Sequence, residues 1–370
     1  MDGVDILIAI GRALAVFVLL LVVTVLNVWA ERKIVADMQN RIGPNRAGPW
    51  GILQTVADGL KLFFKEQITP RKAEYGMYLL APFLAVIPAF LIFMVVPWGA
   101  PITIGDRVIP LQGTDLNIGL LFILAMSSMS VYAVVLAGWS SGSKYPLLGG
   151  VRATAQAISY EAAMGLALVA VVVFSATYAG AEGGTLSLAA IVERQSGTWA
   201  DVVPALQPVL QFIPRWNVFP QFVAFVIFMI SAVAETNRAP FDLVEAEQEL
   251  VGGFHTEYSG MRFAMFFLAE YVAIFSMAAI GATVFLGGWN GPTGAGFLPG
   301  FVSAALPTVW LLLKTYLLVF LFFWIRATLP RLRYDQLMQL GWKRLIPGAL
   351  AWLVLSTVVI GVRQFGWPWA

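Results

Sequence analysis

The stretch ETNRAPFDLVEAEQELVGGFHTEYSG, residues 235–260, carries six of the chain's 21 acidic residues between two long apolar runs. Such a sequence cannot span a bilayer, so it reads as a polar connection pinned at both ends by membrane helices. Working outward, apolar runs long enough to cross about 30 Å of hydrocarbon as helices fall near 5–30, 77–98, 116–139, 153–178, 219–235, 263–286, 304–325 and 345–362. The expected fold is an all-α integral membrane protein: eight transmembrane helices in a single polytopic domain, residues 1–370.

Composition agrees. Of the 370 residues, 59% are hydrophobic and 12% charged, against roughly 25% charged in a soluble domain. With no cysteine and one histidine, His255, the chain offers neither a thiolate-held iron–sulfur cluster nor a haem held between two of its own histidines. No metal site, bound cofactor or nucleic-acid partner is expected, and any electron carrier belongs to a partner. The first apolar run ends in Glu31-Arg32-Lys33 rather than a small-residue cleavage site, so it reads as a retained span.

Lysine and arginine place the connections. The connection 31–76 and the one before the last run hold most of the 23 basic residues together with Lys144, Arg152, Arg238 and Arg262. That side is expected to be cytoplasmic (or matrix), with both termini outside, the acidic connection 236–262 inside and the long loop 180–218 outside. That outer loop, with Pro204, Pro208 and Pro214, carries no assigned chemistry. Within 31–76, Trp50–Glu66 reads as an amphipathic surface helix. Val56, Leu60, Phe63 and Phe64 recur on one face, with Gln54, Asp58 and Lys61 on the other.

Ionisable residues within spans need a partner, a water-filled cavity or a task. Glu161 falls about eight residues into the fourth run, roughly 12 Å deep, and Glu270 at a matching depth in the sixth. Glu235 closes the fifth run, and Lys314 is near the middle of the seventh. Buried carboxylates close to one another favour their protonated forms, a condition for proton exchange near neutral pH. Two readings stay open: a proton path, or static pairing of Glu161 or Glu270 with Lys314 or another subunit. In the loop, Asp242 can cap a helix with Glu245 three residues on, ended by Gly252-Gly253. Glu247 and Glu249 remain for a solvated face or for chemistry. His255 reads as a hydrogen-bonded loop residue, with proton transfer as the alternative.

Four strings bear on that choice. ERKIVADMQNRIGPNRAGPWGILQTVADGLKLFFKE (31–66), GWSSGSKYPLLGGVRATAQAISYE (138–161), AETNRAPFDLVEAEQELVGGFHTEYSGMRF (234–263) and RATLPRLRYDQLMQLGWK (326–343) resemble the quinone-site membrane subunits of respiratory complex I. That resemblance implies a subunit of a proton-translocating NADH:quinone oxidoreductase, at the junction of the membrane and peripheral arms. Quinone would be the substrate, and FMN and iron–sulfur clusters would sit in partner subunits. It also implies contacts with other membrane-arm subunits and with peripheral-arm quinone-site subunits. The length of the outer loop resembles bacterial members, implying a bacterial plasma membrane rather than a mitochondrial inner membrane. Carried over position by position, Arg32, Arg41, Asp58, Arg238, Arg326 and Arg331 match residues of the quinone chamber. Glu161, Glu235, Asp242, Glu245, Glu247 and Glu270 match the proton-path carboxylates. Equivalent subunits of ferredoxin:quinone oxidoreductases or membrane-bound hydrogenases are the alternative. A cation/proton antiporter is disfavoured by the lack of an inverted repeat, and a purely structural anchor would not need Glu161 and Glu270 in the membrane.

Overall fold

A chain this apolar must satisfy its backbone polar groups within its own helices wherever it meets lipid. The computed structural model, which describes residues 3–104, 107–177, 183–199, 212–243, 250–292 and 300–365, is accordingly a helical bundle. The long helices are α1 (Gly3–Met38), α3 (Tyr75–Met94), α4 (Gly119–Ser140), α5 (Lys144–Ser175), α8 (Gly260–Phe285) and α9 (Gly300–Thr328). Shorter are α2 (Gln54–Phe64), α6 (Leu188–Arg194), α7 (Phe222–Glu235) and α10 (Tyr334–Leu340), the last running through a π turn (Gly341–Leu345) into α11 (Ile346–Phe365). A two-stranded antiparallel hairpin, β1 (Ile102–Ile104) and β2 (Arg107–Ile109), pairs Thr103 with Val108 between α3 and α4.

Seven of the eight expected spans are helices long and apolar enough to cross a membrane, the last formed by α10, the π turn and α11 together. The protein is a multi-pass membrane protein. The fifth expected span, 219–235, is shorter: α7 has 14 residues, about 21 Å. Its ends are tied to neighbouring helices. At the start, Gln221 accepts from Trp352 Nε1 (2.7 Å) and donates to Ser356 Oγ (3.3 Å) on α11; at the finish, Gln156 Nε2 of α5 donates to the Ala234 carbonyl (2.7 Å). A helix tied at both ends to its neighbours need not match the bilayer.

The core centres on α8, whose Val272, Phe275, Ala278, Ile280 and Phe285 are almost fully buried and which packs on α1, α3, α7 and α9. By contrast α1 exposes Leu7, Leu14, Val18 and Val22, an apolar stripe on the outside of the bundle. The amphipathic helix expected at 50–66 forms as α2, starting at Gln54 because Trp50, in a left-handed conformation (φ 53°), sits in a 3-10 turn. All of its residues are at least partly exposed, as befits a helix whose apolar face lies on a surface. Helix α5 starts nine residues earlier than the apolar run that announced it, so its 32 residues reach about 48 Å.

Small residues permit the close packing of α5. A Cβ at Gly149 would lie 2.8 Å from Gly253 Cα in the turn that follows the acidic stretch, and one at Gly138 would lie 2.6 Å from the Pro146 carbonyl. Gly149→Val should therefore destabilise the purified protein by about 1–3 kcal/mol, read as a lowered thermal midpoint. Gly59→Ala in α2, where an added Cβ meets nothing within 4 Å, should be neutral or stabilising by up to about 1 kcal/mol. Equal effects from the two would contradict this packing.

Candidate functional site

The buried face of α1 carries Leu20, Val23, Thr24, Asn27 and Glu31 at steps of three and four, so the Glu31 carboxylate is drawn under the bundle surface with the packing residues. It is 4% exposed and accepts from Arg326 and, at 3.0 Å, from Arg238 Nη1. Arg238 is placed by the end of α7. Asn237 adopts φ 51°, and the Arg238 N–H returns to the Val233 carbonyl, a Schellman-type ending that folds the next residue back onto the bundle. Its Nε lies 2.6 Å from Glu270 Oε1 on α8, and its guanidinium sits 4.6 Å from the Tyr271 ring centroid. Burial alone would lower the pKa of Arg238. The carboxylates of Glu270 and Glu31 outweigh it and hold the guanidinium above its ordinary value.

Around this knot lies a cleft of about 460 Å³ lined by Glu31, Arg32, Arg41, Arg238, Tyr271 and Arg326, among others. Four of the six expected chamber residues thus share one space. A fifth, Asp58 on α2, accepts from Arg32 Nη1 at 2.6 Å and from Gln54 at 3.2 Å. That ion pair, with Trp29 Nε1 donating to the Trp50 carbonyl (3.0 Å), tethers the surface helix to α1. A neighbouring recess of about 520 Å³ shares Arg32 and Arg41 and adds Ile42, Pro44 and Gln54. Arg331 is elsewhere: it pairs with Asp242 (3.1 Å). Those two residues, expected in different roles, jointly tie the loop after α7 to the segment before α10, beside a bond from the Leu332 N–H to the Pro240 carbonyl.

On the other side of Arg238, a cavity of about 120 Å³ is lined by Glu235, Thr236, Asn237, His255 and Glu270, room for a few waters. Glu235 accepts from Ser127 Oγ, and Glu161 from Ser128 Oγ. Those serines are consecutive on α4, so one turn of α4 anchors a carboxylate from α7 and one from α5. The second oxygen of Glu235 is buried without a hydrogen-bond partner among the described residues. The static pairing considered for Glu161 or Glu270 with Lys314 does not form. Lys314 Nζ donates to the Gly288 (2.9 Å) and Asn290 (2.6 Å) carbonyls beyond the far end of α8, over the Trp216 ring. The cation that meets Glu270 is Arg238.

Glu245 and Glu247, and with them the helix expected to start at Asp242, lie outside the described residues, as does Glu249. His255, in a 3-10 turn (Gly253–His255), is surrounded by the rings of Phe254, Phe263 and Phe267 at 5.0–6.2 Å. It also lines the cavity shared with Glu235 and Glu270. Burial lowers its pKa to about 4, with the charge of Asp242 opposing. Ser127, Ser128 and Tyr271 join the site from outside the quoted strings, and Glu31, which opens the string 31–66, joins it without having been singled out there. For Glu31 there was a usable signal in its position four residues after Asn27, on the buried stripe of α1.

Arg238→Met leaves Glu31 and Glu270 with fewer counter-charges in a buried site and should lower stability by about 3–5 kcal/mol; pairing it with Glu270→Met should recover at least about 1 kcal/mol in a double-mutant cycle. For His255, the unfolded chain binds a proton below about pH 6.5, whereas the folded chain does so only near pH 4. Its contribution therefore opposes folding as pH falls through that window, by at most about 3 kcal/mol. His255→Phe should flatten the loss of thermal stability between pH 6.5 and 4, and an unchanged pH profile would contradict the burial assigned to the ring.

The arrangement is a chain of charge: a basic cleft, a shared arginine, then a cavity lined by the carboxylates of α7 and α8, with Glu161 of α5 held on the adjoining serine of α4. Residues 11–357 match the family model described as NADH dehydrogenase. The chain belongs to that family, the quinone-site membrane subunits of complex I.

Proposed function

We propose that this protein forms much of the quinone-binding chamber of a proton-translocating NADH:quinone oxidoreductase and couples quinone reduction to proton movement through its carboxylates. The observation that carries this reading is Arg238, one guanidinium facing Glu31 at the cleft and Glu270 at the cavity. The cleft fits a quinone head group. Arginines supply donors for its carbonyl oxygens, Tyr271 supplies a ring face, and the exposed apolar residues of α2 (Leu60, Phe63, Phe64) offer an approach from lipid.

Reduction of a quinone to a quinol consumes two electrons and two protons. In this reading the electrons come from an iron–sulfur cluster of a peripheral-arm partner fed through FMN, and this chain supplies charge and protons. Negative charge reaching the quinone competes with Glu31 and Glu270 for Arg238. At a few Å and an effective dielectric near 20 such competition is worth a few kcal/mol. A carboxylate that loses its cation takes up a proton more readily. Glu270 then opens onto the cavity it shares with Glu235, and the two serines on α4 carry the connection to Glu161. Asp242, Glu245 and Glu247 would join this route from the loop. The basic end of the bundle faces the cytoplasm of a bacterial cell, with both termini outside, and the cleft faces the peripheral arm while other membrane-arm subunits flank the acidic file.

Glu235→Gln and Glu161→Gln should each lower quinone reductase activity and coupled proton pumping of the assembled complex by roughly tenfold or more, with the subunits still co-purifying. Full pumping-coupled turnover in both would overturn the proton-path assignment. A photoreactive quinone should label the segment from Arg32 to Lys65; labelling confined to residues 183–199 would overturn the chamber.

A further inference from the structure

At 100° per residue, Met229, Ile230 and Val233 lie on the face of α7 opposite Glu235. There they wall an apolar groove of about 450 Å³ with Pro240 and Phe241 of the following loop, Leu329 at the end of α9, and Leu340 at the end of α10. Its lining is almost wholly carbon. Because the walls come partly from span interiors and partly from the connections beyond them, the groove straddles the level at which the spans end, where a bilayer passes from acyl chain to head group.

The rim is basic. Leu332, another wall residue, is flanked by Arg331 and Arg333. Both acids on the rim among the described residues are paired: Asp242 with Arg331 (3.1 Å) and Asp335 with Arg333 (3.3 Å). One turn beyond Leu340 come Lys343 and Arg344, both exposed and without an ion-pair partner among the described residues. They stand in the π turn, beside Trp342, which is 57% exposed. A tryptophan with adjacent cations at a span's end is an interfacial arrangement. An apolar slot and, one helical turn away, two cations without an ion-pair partner among the described residues call for one amphiphile with an anionic head.

We propose that this groove binds one acyl chain of an anionic phospholipid, whose phosphate is held by Lys343 and Arg344. Lipid tails are the apolar molecules available at this depth, and the cations discriminate among head groups. A zwitterionic lipid can fill the slot but gains less from the rim. This site is separate from the quinone cleft and does not rest on it: the cleft takes no wall residue from α7, and the two share no lining residue.

The test uses the intact membrane complex in nanodiscs of phosphatidylglycerol or phosphatidylcholine, each doped with its own diazirine-acyl analogue, with adducts mapped by peptide mass spectrometry. Adducts on the exposed apolar stripe of α1 serve as an internal reference. Phosphatidylglycerol should label the peptides bearing Leu329 and Leu340 several-fold more than phosphatidylcholine, relative to α1. The double substitution Lys343→Ala/Arg344→Ala should reduce this excess by roughly tenfold. Leu329→Trp, which fills the groove from an exposed position, should remove the groove adducts while leaving α1 labelling intact. Equal labelling by the two lipids, an excess that survives the charge substitutions, or groove peptides that stay unlabelled while α1 is labelled would each overturn the proposal, the last by indicating a protein occupant.

Discussion

Placing a guanidinium out of water is tolerable only where carboxylates replace its hydration, and Arg238 meets that condition through Glu31 of α1 and Glu270 of α8. Much of the basic end of the bundle is arranged by this requirement. It draws the end of α1 against α8, brings Arg326 of α9 to the same carboxylate, and obliges α7 to finish in a turn that folds its next residue inward. The cleft and the cavity are the spaces left on either side of that ion cluster.

The polarity of the two spaces follows. Toward α2 the residues are arginines and one aspartate held by Arg32, a setting that attracts negative charge. Toward α4 and α5 they are carboxylates held by neutral serines. One cation between two acids at a boundary of this kind has two partners to favour, and a change of charge on one side is felt on the other without any large movement. The shortness of α7 belongs to the same design. Enclosed by α5, α8 and α11, it delivers Glu235 to the interior because its last turn does not have to reach a membrane surface.

Hydrophobic runs, basic connections and the amphipathic pattern of 50–66 were legible in the chain, since they report on local periodicity and on transfer from water to lipid, which act residue by residue. The boundaries were less so. Lys144–Arg152 joins α5 although it is polar enough to read as a loop, because Gly149 and Gly150 let it pack closely on its neighbours. The site was half legible: Arg32, Arg41, Arg238 and Arg326 were recognisable by motif and line one cleft, whereas Arg331 and Asp242 were named for separate roles and are partners. Glu31 stayed hidden because a charge at a span's end is the ordinary signature of a membrane surface.

By itself the sequence determined the class of protein, the number of apolar runs, which connections are basic, and which carboxylates fall within apolar runs, because each depends on composition within a single segment. Only the tertiary structure decided which charges meet. Lys314, one of the partners open to a buried glutamate on sequence grounds, spends its donors on the carbonyls of Gly288 and Asn290, and Glu270 takes Arg238 from the acidic connection instead. In ETNRAPFDLVEAEQELVGGFHTEYSG nothing marks that arginine as more than one basic residue among acids. The reason is physical: the energy of a buried charge depends on partners and solvent within a few ångströms, and those are brought together from α1, α8 and α9 only when the bundle closes.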